Sequence, residues 1–354
     1  MLIRRLFIVF PALLVCGAAG FTQQTAVAGP PVGTVPGADS GSHAIHLDVV
    51  VAPRDGAPVS GLTQQDFTVL DNKTPQKITS FQAFGGDTAP VGVIVVIDDV
   101  NTFYTAISYE RQQIDKFFQA NGGKLAYPTT LAIFTDSGTR MLNGFSKDGS
   151  QLSAALDRDT IELRAIRQSA GFYGATDRLE KSIQALRLLA EYGSSQPGRK
   201  LVLWMSPGWP ILTGPNVMIS EKQQQEIFNA IIEVSTELRQ ARMTLYSIDP
   251  LGTADVGLHT VYYRNFLKGV RKPTDANFGA LALEVIATQS GGQALSSSND
   301  ITALMQRAVD DTKAYFELSF DPVPGEPNEY HQLEVKVDKP GLIARTRTGY
   351  YSQP

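Results

Sequence analysis

The chain holds one cysteine, Cys16, and it lies in a leader expected to be removed. For the remainder, disulfides, thiolate metal sites and cysteine nucleophiles are excluded together. Histidine is scarce as well: His43, His46, His259 and His331 are scattered and show no metal-ligand spacing. The net charge is −4 with no basic block, so no cationic face is offered to nucleic acid. Past the leader, no run is apolar for long enough to cross a bilayer. No glycine follows the run VIVVIDDVNTF at 93–103, which disfavours a phosphate-binding loop at the end of that strand.

What is present begins with MLIRRLFIVFPALLVCGAAG, two arginines followed by a short apolar run. The triplet Ala26-Val27-Ala28 suits a signal peptidase, so 1–28 reads as a secretory signal rather than an anchor. Val15 stands just before Cys16, where a lipid-attachment site wants a small residue. Export to the periplasm, the cell surface or the medium is expected, with no stable membrane span after cleavage. Residues 29–42 are rich in Gly and Pro and read as a flexible linker.

Three short β-rich runs follow within 43–88, near 45–52, 67–70 and 76–84, separated by turn residues. From 89 to 312 the texture changes. Apolar runs at 91–97, 130–134, 200–205 and 243–248 alternate with helix-patterned segments at 109–120, 177–191 and 221–240. Two more helices are expected over 280–289 and 300–312. Strands apolar on both faces, alternating with amphipathic helices, predict a doubly wound, mainly parallel sheet covered on both sides. Residues 313–354 are β-rich again, with the alternation of a half-buried strand in Leu333-Glu334-Val335-Lys336-Val337. The fold class is therefore α/β, with a smaller all-β sandwich built from the two flanks.

Ligands of open α/β sheets bind outside the carboxyl ends of strands, where strand order reverses. Asp98 falls at such an end. Three other strand ends could converge on it: Gly174-Ala175-Thr176, Ser206-Pro207-Gly208 and Asp249-Pro250. Asp98 has two readings, a cap that accepts backbone N–H bonds or a ligand-binding carboxylate.

The phrases PVSGLTQQDFTVLDNKTPQKITSF, VIVVIDDVNTF, GATDRLEKSIQAL, GRKLVLWMSPGWP, MTLYSIDP, AYFELSF and KPGLIARTRTGYY occur in that order. Together they resemble von Willebrand factor A-related proteins, in particular the secreted acidobacterial-type subgroup, over nearly all of the chain after the leader. The resemblance implies a metal-ion-dependent adhesion site: an Asp-x-Ser-x-Ser motif, a Thr and a second Asp hold a divalent cation, which takes a carboxylate from the partner. Carried onto this chain, Asp98 matches the first Asp, Thr102 the last Ser and Thr176 the Thr. Val100 replaces the middle Ser, and Pro207 stands where the second Asp belongs.

Magnesium demands about six oxygens in near-octahedral geometry. With two ligands lost, no cofactor is required and Mg2+ or Mn2+ is expected to bind only weakly, through Asp98, Thr102 and Thr176, with Asn101 able to lend a carbonyl oxygen. The alternative is a hydrogen-bonded cluster of these side chains that shapes a metal-free surface. Asp98, Asn101, Thr102, Thr176, Ser206 and Trp209 make up the expected binding rim, with a protein or a cell-surface polymer as partner. Trp209, between Pro207 and Pro210, is either an exposed anchor or a cover on the sheet's edge.

Enzyme motifs fit poorly. A nucleophile elbow wants Gly-x-Ser-x-Gly, and Trp204 takes the first Gly position before Ser206. Asp98 and Asp99 are sequence neighbours and cannot readily flank one glycosidic bond, which needs carboxyls about 5 Å or more apart. The expectation is a non-enzymatic, exported binding protein. A hydrolytic or assembly-linked enzyme at the same cleft and a structural envelope component are the alternatives.

Overall fold

The computed structural model describes residues 44–353, except 55, 87–88, 143, 160–170, 213–216, 252–261 and 297. The expected signal and linker, Cys16, His43 and His259 lie outside the described residues. Along the chain run β1 (Ile45–Pro53), β2 (Phe67–Asp71), β3 (Thr74–Gln76), β4 (Ile78–Gly85), β5 (Val91–Asp98), α1 (Tyr104–Gly123) and β6 (Lys124–Thr135). Next come β7 (Gly138–Met141), β8 (Ser146–Asp148), α2 (Gly149–Arg158), α3 (Gly171–Ser194), β9 (Arg199–Met205), α4 (Glu221–Gln240) and β10 (Met243–Ile248). The last are α5 (Leu283–Gln289), β11 (Ala294–Leu295), α6 (Ile301–Asp310), β12 (Ala314–Phe320), β13 (Tyr330–Val337), β14 (Leu342–Arg345) and β15 (Gly349–Tyr351).

The run VGVIVVID has almost no polar position to give to water, so β5 must be covered on both faces. It sits inside a sheet ordered β11-β10-β9-β5-β6-β7, with β8 also on β6. β5 is parallel to β6 and β9, and β10 is parallel to β9 and β11, while β7 and β8 run antiparallel to β6. Side chains alternate between the faces. Ile94 and Val96 join Val202 and Trp204 under α3, α4 and α5. Val93, Val95 and Ile97 join Leu201, Leu203 and Met205 under α1, α2 and α6. Strand order reverses at β5, which has β6 on one side and β9 on the other. The carboxyl ends of β5 and β9 therefore flank the crevice where such sheets take ligands.

Both flanks of the chain form antiparallel sheets, β14-β1-β12-β4 and β15-β13-β2-β3. They enclose a shared apolar core that includes Leu47, Val49, Phe67, Val69, Phe316 and Leu318. β1 pairs with β12 and β2 with β13, so segments on either side of the α/β region meet in each sheet. Arg242, just beyond α4, reaches Asp48 at 2.6 Å and Glu317 at 2.7 Å on that β layer. Arg345 on β14 pairs with Asp311, which also accepts from the Tyr246 hydroxyl on β10.

Local differences from the sequence reading have physical causes. The single strand expected over 76–84 is two, β3 and β4, with Lys77 between them. The helix expected from 109 begins at Tyr104, and its geometry breaks at Ala120 (ψ 148°), Asn121 (φ 54°) and Gly122 (φ 68°). β7, β8 and α2 were not expected. GTRM and SKD carry no apolar alternation and are strands because they pair with β6. α2 is launched by Asp148, whose carboxylate accepts from Ser150 N (2.9 Å) and Gln151 N (3.2 Å), a cap typically worth about 1 kcal/mol.

Candidate functional site

β5 delivers Asp98 to the crevice with no exposed surface. Its Oδ1 accepts from the backbone N–H groups of Val100 (3.1 Å) and Asn101 (2.9 Å), the turn bonds expected of an Asp at a strand end. The Asn101 amide Nδ2 donates to both oxygens (3.2 and 2.9 Å) and to Ser182 Oγ on α3 (2.9 Å). From β9, the Trp204 indole Nε1 donates to Oδ2 at 3.0 Å. Burial raises the Asp98 pKa, while bonds from Trp204, Asn101 and Ser206 pull it back. The capping reading of Asp98 holds, and the same carboxylate is the hub of a hydrogen-bonded cluster.

The other predicted residues divide. Asn101 joins Asp98, with its amide nitrogen rather than its oxygen facing the carboxylate. Ser206 is buried beside the hub and accepts from Gly208 N at 3.2 Å. Gly208 has φ +105°, and a Cβ there would lie 2.3 Å from Glu284 Oε1, so this turn takes glycine for both reasons. Thr102 is also fully buried, and its hydroxyl faces the Glu110 carboxyl on α1.

One expectation is corrected, and one pair of alternatives is decided. Thr176 is not in a loop beside Asp98: it lies within α3, and its hydroxyl donates back to Phe172 O at 3.0 Å. The α3 hydroxyl that reaches the cluster is Ser182, fully buried on the helix's apolar stripe. Trp209 is not an exposed anchor. Only 2% of it is accessible, because it packs edge-on against Trp204 with ring centroids 5.1 Å apart.

Asp99 points the other way from Asp98. It pairs with Arg111 on α1 at 3.3 Å, and Arg111 also holds Asp159 at 2.7 Å. Burial pushes the Asp99 pKa up to about 6 against the pull of Arg111. Glu110 is fully buried, with the Thr102 hydroxyl toward its carboxyl. Burial first, and then the neighbouring Asp99 and Asp98, hold its pKa well above the ordinary carboxylate range.

These residues do not fit a divalent cation. Where a metal would need lone pairs, Asp98 faces an indole N–H and an amide NH2, whose hydrogens repel a cation. Thr102 turns to Glu110, and Thr176 is on a different part of α3. Among the described residues, no group of three His, Cys, Asp or Glu is placed to hold a metal. Magnesium up to about 10 mM is therefore expected to move the thermal midpoint by less than about 1 °C. Saturable heat in a magnesium or manganese titration would contradict that.

The crevice edge carries exposed aromatics that the sequence reading passed over. α1 starts just after β5 ends, and α3 ends just before β9 begins. Both helices therefore begin at the carboxyl edge of the sheet. Phe103 (48% accessible) and Tyr104 (58%) open α1, and Phe172 (47%) and Tyr173 (86%) open α3. The usable signal was two Phe-Tyr pairs placed immediately before apolar helical stripes.

The fold and site define a doubly wound α/β protein with a buried polar hub under an aromatic edge. No family model and no curated protein matches the chain. Among solved structures, it is similar to proximal thread matrix protein 1 from the mussel byssus, with 12% identity and a TM-score of 0.39 over 68% of this chain and 51% of that one. It is similar to the SpRpn10 VWA domain, with 10% identity and a TM-score of 0.30 over 63% and 97%. It is also similar to the pilus adhesin SpaC from Lactobacillus rhamnosus GG, with 10% identity and a TM-score of 0.34 over 82% and 49%. The chain spans about half the length of the mussel and pilus proteins.

Proposed function

We propose that this is an exported, non-enzymatic binding protein of the von Willebrand factor A-related type, of the secreted acidobacterial-type subgroup. It engages a protein or a cell-surface polymer through the carboxyl edge of its parallel sheet. The observation that carries the reading is the pair of exposed Phe-Tyr steps at the first turns of α1 and α3. Large apolar rings left in water at the one edge where strand order reverses mark a contact surface, and aromatics dominate binding hot spots. Beneath them, the Asp98 hub joins β5, α3 and β9 and holds that edge rigid without a cation. Asp98 and Trp209 support the surface from below rather than touching the partner.

Among the described residues, nothing beside Ser206 supports a nucleophile. It is buried and bonded to Gly208, while His331 is held by Asp71 at 2.9 Å within the β layer. A serine-reactive probe whose labelling disappears in Ser206→Ala would favour the enzyme alternative.

The test of the binding reading is surface plasmon resonance of the mature protein against envelope proteins and polymers. Phe103→Ala with Tyr173→Ala is expected to weaken its partner at least about 30-fold, on about 2 kcal/mol for a lost hot spot. If every detected affinity is unchanged in that double variant, this edge is not the interface.

A further inference from the structure

A second surface runs from that edge down the outer side of α3 and α4. α3 and α4 are separated on their outer side by a groove of about 700 Å³. Its floor is apolar, formed by Leu179, Ile183, Ala190, Ile227, Ala230 and Leu281. On α3 the lining runs from Thr176 to Ser194 and on α4 from Gln223 to Gln240, a length of about 25 Å at 1.5 Å per residue. Thr176, the predicted rim residue that does not meet Asp98, stands at one end of this groove.

The charges on the walls are one-sided. Glu180, Glu191, Glu226 and Glu237 line the groove with Arg187 as the sole cation among the described residues. Arg187 is already neutralised: it crosses from α3 to Glu237 (2.9 Å) and Glu233 (3.2 Å) on α4. Glu226 has only an exposed contact to Lys222 at 3.7 Å, and such a pair holds little energy. Among the described residues, Glu180 and Glu191 form no ion pair. Leu188, 46% accessible, adds an apolar side chain on the α3 wall.

We infer that this groove receives a cationic amphipathic helix from a partner protein. Two parallel helices with an apolar valley between them offer grooves to a third helix's side-chain ridges. The length suits about four to five turns of helix. An apolar face would fill the floor while lysines or arginines on its flanks meet Glu180, Glu191 and Glu226, the helix-in-groove mode of recognition. The acidic walls select against acidic helices and against an anionic bilayer by the same field.

The test uses two synthetic 18-residue amphipathic helices with the same leucine face, one with lysines on its polar face and one with glutamates. Fluorescence anisotropy with the full mature chain is expected to show the lysine peptide binding at least about 10-fold tighter than the glutamate peptide. Glu180→Lys with Glu226→Lys should weaken it at least about 10-fold, and Ala230→Trp, which fills the floor without changing charge, should do the same. Hydrogen exchange on the unmodified chain should show protection of α3 and α4 along the groove, a readout that needs no variant to fold. Equal binding of both peptides, undiminished binding by folded Ala230→Trp, or protection elsewhere would overturn the inference. Phe103→Ala, at the start of α1 on the opposite face of the sheet, should leave the peptide bound as before, which separates this surface from the aromatic edge.

Discussion

Asp98→Ala is expected to cost about 3–5 kcal/mol of folding stability, in the range of a broken buried polar network. The carboxylate is the common acceptor for the Trp204 indole, the Asn101 amide and two backbone N–H groups, all in a site without water access. Each buried donor left unpaired costs about 1–3 kcal/mol. Loss of the carboxylate's own desolvation penalty offsets part of that, so the effect stays below a sum over donors. Asp98→Asn keeps the shape but turns an NH2 toward groups that are themselves donors, and should fall between parent and alanine. Trp204→Phe removes one donor and keeps most of the ring packing, and should cost less than Asp98→Ala. Urea unfolding followed by tryptophan fluorescence and circular dichroism measures all three. A loss under about 1 kcal/mol for Asp98→Ala would mean the donors find other acceptors and the hub has been misread.

The architecture was legible because it is written in periodicity. An unbroken apolar run ending in Asp98 had to be an interior strand, and the alternation with helical stripes required cover on both faces. The site was legible only to first order. Asp98 was found at the strand's end, but what fills the space beside it is the indole of Trp204, more than a hundred residues away and adjacent only through the parallel β5–β9 register. Trp209 stayed open between anchor and cover because flanking prolines report backbone stiffness, not which way an indole turns. Two buried polar groups did leave a trace. Ser182 lies between Leu179 and Leu186 at helical spacing, and Glu110 falls between Ile107 and Ile114 in the same way. A polar residue inside an apolar stripe marks a buried polar contact, and both sit against the Asp98 region.

Glu110 gives the second large effect, in the pH dependence of stability. Its folded-state pKa is raised by burial and by the charges of Asp99 and Asp98, whereas the unfolded chain leaves it near the ordinary glutamate value. The folded protein therefore holds a proton that the unfolded chain has released. The resulting stability is fully present below the unfolded pKa and is lost as pH rises toward the folded one. Within that window the loss is about 1.4 kcal/mol per pH unit. Asp99, pushed up to about 6, acts with the same sign over the acidic part of the range. Glu110→Gln carries no proton to lose, so its stability relative to the parent should climb as pH is raised above the ordinary glutamate range, at up to about that slope. The comparison is a difference of slopes, so a constant penalty for burying the amide does not disturb it. Parallel stability curves for parent and variant would show that Glu110 is ionised in the folded protein and that Arg111, shared with Asp99, compensates it.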